Sequence, residues 1–263
     1  MTLVFDTPAF KVLQYKTGCL AQYAYIIDSN KEIVVIDPLR DGQTYLDYAA
    51  QNGGTIKYIF ETHYHADFVS GHVDLMKNTK ATVVFGPDSQ PDFPAHVAKD
   101  GEEITVGNVK IRILHTPGHT LESSCYVLLH EGKELAVFTG DTLFLGDVGR
   151  PDLAQKGLSL TDKDLATMLF HSLKKLKALP EECTVLPGHG AGSACGKKIS
   201  AGDKCDIGRQ AKNNLAFSLT DEKTFVELAT ADLPAPPSYF ALNVALNKSA
   251  EVKLFLTLDY SSK

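Results

Sequence analysis

A metal-binding function is indicated by one short stretch, ETHYHADFVSGH, at residues 61–72. His63, His65 and Asp67 occupy every second position in it. Imidazole and carboxylate together suit Zn, Fe or Mn better than a metal that prefers thiolates. Phe68 interrupts this run, and a phenyl ring binds no metal. We expect it to pack a helix beginning at Asp67 against a sheet, so any second metal position would be one ligand short.

Three further candidates stand singly along the chain: His119 in PGHT, Asp141 in GDTLF and His189 in LPGHG. Each of them, like the first motif, follows a short apolar run and lies at a turn. Side chains at the ends of neighbouring strands can meet at one edge of a sheet. A single histidine in such a place is more often a surface or hydrogen-bonded residue, and turns of this composition are common. The repetition of the pattern favours one metal centre.

The segments that would position these residues alternate between strand-like and helix-like patterns. Short runs rich in β-branched residues predict eight strands, at residues 24–27, 33–36, 56–61, 81–85, 109–114, 126–129, 135–139 and 184–186. Apolar residues at helical spacing predict helices over residues 42–51, 67–78 and 161–179. Thr161 followed by Asp164 is typical of a capped helix start. Interspersed strands and helices indicate a layered α/β fold.

Composition narrows the class of protein. The chain has 263 residues, of which 44% are hydrophobic and 22% charged, enough for a full core. A net charge of −6 disfavours nucleic acid or an anionic membrane as partner, and favours a small molecule. Neither a signal sequence nor a membrane span is evident. Five cysteines are too few and too scattered for a disulfide framework, which favours a reducing, cytoplasmic setting.

We expect two segments along the chain. Residues 1–231 would form the catalytic domain. Residues 232–263 would form a spacer and a tail that packs on the domain or extends it. Their proline-rich stretch LPAPPSY, at residues 233–239, suits neither a helix nor a central strand.

The motifs THYHAD, PGHT, GDTLF and LPGHG together resemble those of the metallo-β-lactamase superfamily. The resemblance covers nearly the whole chain. It implies an αββα four-layer sandwich, in which two mixed sheets pack face to face with helices outside and the metal lies at one edge. The usual first motif of the superfamily, HxHxDH, has Phe68 here in place of its last histidine.

Two branches of the superfamily compete. A glyoxalase II-type thioester hydrolase, such as a hydroxyacylglutathione hydrolase, would hold two metals, for example zinc. By its motifs the first ion would take His63, His65, His119 and Asp141. The second would take Asp67, Asp141, His189 and the histidine that is missing at position 68. The persulfide dioxygenases instead bind one Fe(II), through the residues that correspond to His63, His119 and Asp141.

The wider motifs GDTLFLGDVGRPDLA and LPGHGAGSACGK favour the second branch, since they are similar to bacterial persulfide dioxygenases that often carry rhodanese domains. The resemblance implies oxidation of a thiol persulfide by O₂ to sulfite and thiol, in persulfide detoxification. His65, Asp67 and His189 would then orient ligands and substrate. We also expect a separate rhodanese sulfurtransferase as a partner, and a homo-oligomer.

Cys195 lies six positions after His189, beside Lys197 and Lys198. Nearby positive charge lowers the pKa of a thiol, so a thiolate at Cys195 could relay sulfane sulfur. An unreactive loop cysteine is an equal alternative. Asp37, which ends another apolar run, is expected to fix a loop or a ligand near the same edge.

Overall fold

The computed structural model describes residues 1–18, 20–153 and 160–250. Two sheets pack face to face, and the helices of the described chain lie on their outer faces. The αββα sandwich expected from the motifs is confirmed.

The first sheet has seven strands, which lie side by side in the order of the chain. The first four are antiparallel neighbours, and the pairs from the fourth strand to the seventh are parallel. Its strands are β1 (Thr2–Asp6), β2 (Lys11–Lys16), β3 (Tyr23–Ser29), β4 (Glu32–Ile36), β5 (Thr55–Phe60), β6 (Thr82–Phe85) and β7 (His96–Val97).

The second sheet has six strands in the spatial order β15-β14-β11-β10-β9-β8. Only the pair of β11 and β14 is parallel. Its strands are β8 (Glu103–Val106), β9 (Val109–His115), β10 (Ser124–His130), β11 (Lys133–Gly140), β14 (Thr184–Pro187) and β15 (Cys205–Asp206). A small hairpin of β12 (Leu143–Phe144) and β13 (Asp147–Val148) follows β11.

Seven helices complete the described chain. They are α1 (Gln43–Asn52), α2 (His72–Thr79), α3 (Asp162–Lys177), α4 (Ile207–Asn213), α5 (Leu215–Ser218), α6 (Glu222–Thr230) and α7 (Phe240–Lys248). None of the helices in the described ranges is long and apolar enough to cross a membrane.

The central strands are apolar along their whole length because both of their faces are buried. In β10, Tyr126 and Leu128 point into the core between the sheets, and Val127 points to the helices on the outer face. The rings of Phe60 and Tyr126 meet across the two sheets with centroids 4.8 Å apart. Close packing between the two sheets holds the strand ends in place. A site built at one sheet edge needs strand ends that are fixed in this way.

All eight predicted strands are present, with ends that differ by a few residues. The capped start of α3 is also confirmed: Thr161 Oγ1 accepts from the Asp164 backbone N–H, and Asp164 accepts from the Thr161 backbone N–H. The predicted helix at residues 67–78 is wrong at its start, since α2 begins only at His72. Residues 61–71 form a loop instead, because their polar backbone groups bond to other parts of the chain.

Residues 233–237 carry no helix or strand, in keeping with their proline content, and α7 follows them. The helix α7 packs against the loop of residues 61–71, through contacts described below. Most of the tail expected after it, residues 251–263, lies outside the described residues. The boundary near residue 231 stays a prediction.

Candidate metal centre

The predicted metal ligands come together at one edge of the sandwich. His63 lies just after β5, His119 in the loop after β9, and Asp141 directly after β11. Asp141 Oδ2 lies 3.5 Å from His119 Nε2 and 3.9 Å from His63 Nε2. We call these three residues the first cluster. All three are nearly inaccessible to solvent.

Hydrogen bonds on the far side of each ring turn both histidines toward Asp141. His119 Nδ1 lies 2.9 Å from the carbonyl oxygen of Arg150, which can only accept, so Nδ1 carries the proton. Thr62 Oγ1 donates to Asp37 and is 3.0 Å from His63 Nδ1, which therefore donates to it. Both Nε2 atoms thus keep a free lone pair that faces the cluster.

The protonation states also suit a divalent cation. Burial, with the neighbouring His65, lowers the pKa of His63 well below its usual value, so its ring is neutral. Burial alone would raise the pKa of Asp141, but His189, His63 and His119 lower it, and the carboxylate is ionised. Both Asp141 oxygens and His119 Nε2 are buried without a hydrogen-bond partner. Unpartnered buried polar atoms are costly, and a cation would satisfy all of them.

His65 is directed away from the first cluster. Its Nε2 lies 3.1 Å from Asp37 Oδ1 and 3.3 Å from Glu61 Oε2, and we call these three residues the buried triad. Burial alone would lower the pKa of His65, but the two carboxylates raise it well above its usual value. A protonated imidazole has no lone pair to offer a metal. In this arrangement His65 is an ion-pair partner.

The buried triad also fixes the loop of residues 61–71. Asp37 accepts from the Thr62 backbone N–H at 2.7 Å and from the Thr62 hydroxyl at 2.8 Å. Glu61 accepts from the Ser70 hydroxyl and lies 3.1 Å from His72 Nδ1. The expected loop-fixing role of Asp37 is what these contacts show. The same role of Glu61 was not predicted. Glu61 stands at the end of an apolar run, and nothing in the sequence distinguished it as a residue that fixes the loop.

Phe68 does not pack a helix against a sheet, contrary to expectation. It lies in the loop before α2, is 8% exposed, and packs its ring against that of His65 with centroids 4.3 Å apart. The phenyl ring covers one face of the imidazole and helps to hold it near Asp37 and Glu61. Phe68 therefore helps to set the orientation of the His65 ring within the loop that carries the candidate ligands.

A second cluster adjoins the first, formed by Asp67, His189 and Cys195. One ligand atom from each of the three lies within 4.8 Å of the others. The pKa of Cys195 is raised well above its usual value, by burial first and then by Asp141 and Asp67. The expected lowering by Lys197 is wrong, because burial and these two carboxylates dominate; Lys197 Nζ itself donates to the carbonyl oxygens of Leu228 and Ala231.

A cavity of about 550 Å³ opens beside the first cluster. His119 forms part of its wall, with Tyr64 and Ala66 from the loop of residues 61–71. Residues of α7 and the segment before it, among them Pro237 and Phe240, form the opposite wall. Of the three residues of the first cluster, only His119 borders this cavity.

The helix α7 holds the loop through two asparagines. Asn247 Nδ2 donates to the carbonyl oxygens of His65 and Phe68, at 2.7 and 2.8 Å, and its Oδ1 accepts from the Ser70 backbone N–H at 2.8 Å. Asn243 Nδ2 donates to the Ala66 carbonyl oxygen at 2.9 Å. These bonds replace the helical bonds that the sequence predicted for this stretch. Nothing in the sequence indicated that asparagines in α7 would bond to the backbone of residues 65–70.

Replacing Asn247 with leucine should lower the free energy of unfolding by about 3 kcal/mol, because two carbonyl groups and one N–H would stay buried without partners. Chemical denaturation of the metal-free protein measures this. The control is Asn52→Leu, since Asn52 is exposed and its side chain bonds only to the Tyr48 carbonyl oxygen of its own helix. Equal losses in the two variants would contradict the role of Asn247.

The family model described as the metallo-β-lactamase superfamily matches residues 17–189 of this chain. Among curated proteins, a hydroxyacylglutathione hydrolase of Pseudoalteromonas translucida is 36% identical over 163 residues. That match covers 61% of this chain and 57% of the relative. The chain thus spans little more than half the length of that relative.

Two solved structures are similar over most of the chain. A metallo-β-lactamase from Staphylococcus aureus is 35% identical with a TM-score of 0.86, and the match covers 92% of this chain and 73% of that one. ETHE1 from Myxococcus xanthus is 26% identical with a TM-score of 0.76, covering 90% and 97% respectively. With its fold, its strand-end ligands and these matches, the chain belongs to the metallo-β-lactamase superfamily.

Proposed function

We propose that this protein is a mononuclear Fe(II) persulfide dioxygenase. The observation that carries the proposal is the separation of His65 from the first cluster. Two histidines and one carboxylate, His63, His119 and Asp141, remain as ligands. Two histidines and one carboxylate on one face of a metal are typical of non-haem Fe(II) oxygenases.

The proposed reaction is RSSH + O₂ + H₂O → RSH + SO₃²⁻ + 2 H⁺, in which the terminal sulfur of the persulfide is oxidised and O₂ is reduced. Iron held by the first cluster would supply redox chemistry with O₂ and coordination positions for both reactants. Asp67 and His189, at the inner end of the same site, orient the substrate. The apolar wall formed by α7 excludes water from the buried ligands.

The carrier thiol reaches the site through the cavity. Glutathione persulfide is the first substrate to test, since the curated relative is named for a glutathione thioester. A separate rhodanese sulfurtransferase would supply the sulfane sulfur.

A second candidate function is thioester hydrolysis by a dinuclear centre. It is favoured by the name of the curated relative and by the second cluster, which offers further ligands beside Asp141. For this function His65 would have to leave Asp37 and Glu61 and turn toward the first cluster. The ion pairs of the buried triad and the packing of Phe68 oppose that movement.

The test is O₂ consumption by the protein reconstituted anaerobically with Fe(II), using glutathione persulfide and assaying sulfite in the same samples. We expect one sulfite per O₂, and loss of both signals in His119→Ala. His130→Ala is the matched control, since His130 contacts the Asn108 carbonyl oxygen at the last residue of β10, whereas the first residue of that strand, Ser124, bonds to Thr62 beside the ligands. Cleavage of S-lactoylglutathione without O₂ uptake would overturn the proposal in favour of the hydrolase.

A further inference from the structure

The cavity beside the first cluster carries more negative than positive charge. Three carboxylates line it, and no lysine or arginine is among the lining residues that the structure describes. The carboxylates belong to Glu122, Asp152 and Asp162. A carrier thiol that brings negative charges into this cavity would be repelled, whereas a carrier with a cationic group would be attracted.

Two of the three carboxylates are already compensated. Both Asp152 oxygens accept hydrogen bonds from Arg150, at 2.7 Å each, so this pair is neutral. Asp162 is the first residue of α3, where the unpaired N–H groups of the helix stabilise a negative charge. The side chain of Glu122 forms one hydrogen bond within the described chain, to a backbone N–H. Glu122 is therefore the carboxylate that is left for a ligand.

Hydrogen bonds fix Glu122 in the cavity wall. Its Oε1 accepts from the Tyr64 backbone N–H at 3.0 Å. Its carbonyl oxygen accepts from the Ser124 hydroxyl at 3.2 Å, and the Ser124 N–H donates to the Thr62 carbonyl oxygen at 2.9 Å. These bonds hold Glu122 against the loop of residues 61–71. Because only Oε1 is used, Oε2 can accept from a group on a bound molecule.

The same cavity reaches the first cluster at His119, which is wholly buried and has no partner for its Nε2. A persulfide whose sulfur lies at a metal bound there has the rest of its carrier beside residues 120–122, which follow His119 in the cavity wall. The opposite wall is mostly apolar and includes Pro236, Phe240 and Val244. A polar group on the carrier would therefore find its partner at Glu122.

We infer that Glu122 selects among carrier thiols, and that it favours persulfides whose carrier bears an ammonium group over those with neutral or anionic carriers. The ammonium donates to Oε2 while the persulfide sulfur lies at the metal. This inference deepens the proposed function and rests on it for the reacting group, a persulfide. A charge-assisted hydrogen bond of this kind should change affinity by about tenfold.

The test compares the persulfides of glutathione and N-acetylglutathione, since acetylation removes the ammonium. The ratio of their kcat/KM values is measured by O₂ uptake with the iron-loaded protein and with Glu122→Gln. Glutamine keeps an acceptor for the Tyr64 N–H and removes the charge. We expect acetylation to lower kcat/KM about tenfold in the unsubstituted protein and at most about twofold in Glu122→Gln. Comparing ratios cancels the effect of the added acetyl bulk.

Glu131→Gln is the matched control, because Glu131 is exposed in the turn between β10 and β11 and should keep the full ratio. The same ratio in Glu122→Gln as in the unsubstituted protein would overturn the inference. It would also be overturned if acetylation had no effect on the unsubstituted protein, a comparison that needs no variant to fold.

Binding of S-methylglutathione, a thioether that cannot be oxidised as a persulfide is, separates this inference from the proposed function. Its Kd and that of its N-acetyl derivative are measured by calorimetry on the iron-loaded protein without O₂. We expect the same tenfold preference, to about that size, and its loss in Glu122→Gln. A preference without O₂ uptake on persulfides would overturn the dioxygenase and leave recognition by Glu122 standing. O₂ uptake without a preference would do the reverse.

Discussion

Replacing Asp141 with asparagine is expected to abolish metal binding at the first cluster and, with it, turnover. Asp141 contributes the only negative charge among the first three ligands, and it is buried and ionised. Loss of groups that merely support ligands already costs about 10–100-fold in metal affinity. Loss of a charged ligand should cost more, and the second cluster would lose its share of the same carboxylate.

Thermal unfolding separates this effect from general damage. A metal that binds the folded state at 100 times its Kd stabilises it by about 2.7 kcal/mol. Iron should therefore raise the melting temperature of the unsubstituted protein and leave that of Asp141→Asn unchanged. One tightly bound iron per chain in Asp141→Asn would show that Asp141 is no ligand.

Gly118→Ala should destabilise the protein and displace His119. Gly118 has φ +143°, a conformation that residues with a Cβ rarely adopt. A Cβ there would lie 2.5 Å from Leu169 Cα, in the backbone of α3. Backbone strain and the clash each cost about 1–3 kcal/mol. We expect a total loss of about 4 kcal/mol in the free energy of unfolding and weaker iron binding through the neighbouring His119.

The matched variant is Gly132→Ala, in the turn between β10 and β11. Gly132 also has a positive φ, +76°, but a Cβ there would meet no atom within 4 Å. It should cost about 1 kcal/mol through conformation alone and leave iron binding unchanged. Denaturant unfolding and iron titration on both variants show whether only Gly118→Ala loses the larger free energy of unfolding and the iron affinity. Equal effects would mean that α3 moves aside and that Gly118 does not set the position of His119.

The sequence was sufficient to place the first cluster at a sheet edge. Runs such as residues 33–36 and 126–129 are apolar throughout, which is typical of strands buried on both faces, and His119 and Asp141 follow such runs at turns. These signals are local, so they can be detected without knowing which strands are neighbours.

The separation of His63 from His65 could not be predicted from the residues alone. In an extended strand both side chains would point to the same side, but residues 61–71 form a loop in which they diverge. The partners of His65 are Asp37, from the end of β4, and Glu61. Which histidine is drawn aside depends on carboxylates that only the folded chain brings together. The burial of Cys195 away from its neighbouring lysines is non-local in the same way.

The bonds from Asn247 to the loop have a consequence for the order in which the protein matures. Ser70 and Asn247 are separated by 177 positions, so the ribosome must synthesise that much more of the chain after Ser70 before this contact can form. Until then the carbonyl groups of His65, Ala66 and Phe68 lack their partners in α7, and only the buried triad holds the loop that carries His63 and Asp67. A nascent chain can complete both sheets, whose strands end at residue 206, while its metal site is still unfinished. We therefore expect firm metal binding only after α7 has been synthesised, and a ribosome-stalled chain that ends before α7 would test this by weaker retention of iron.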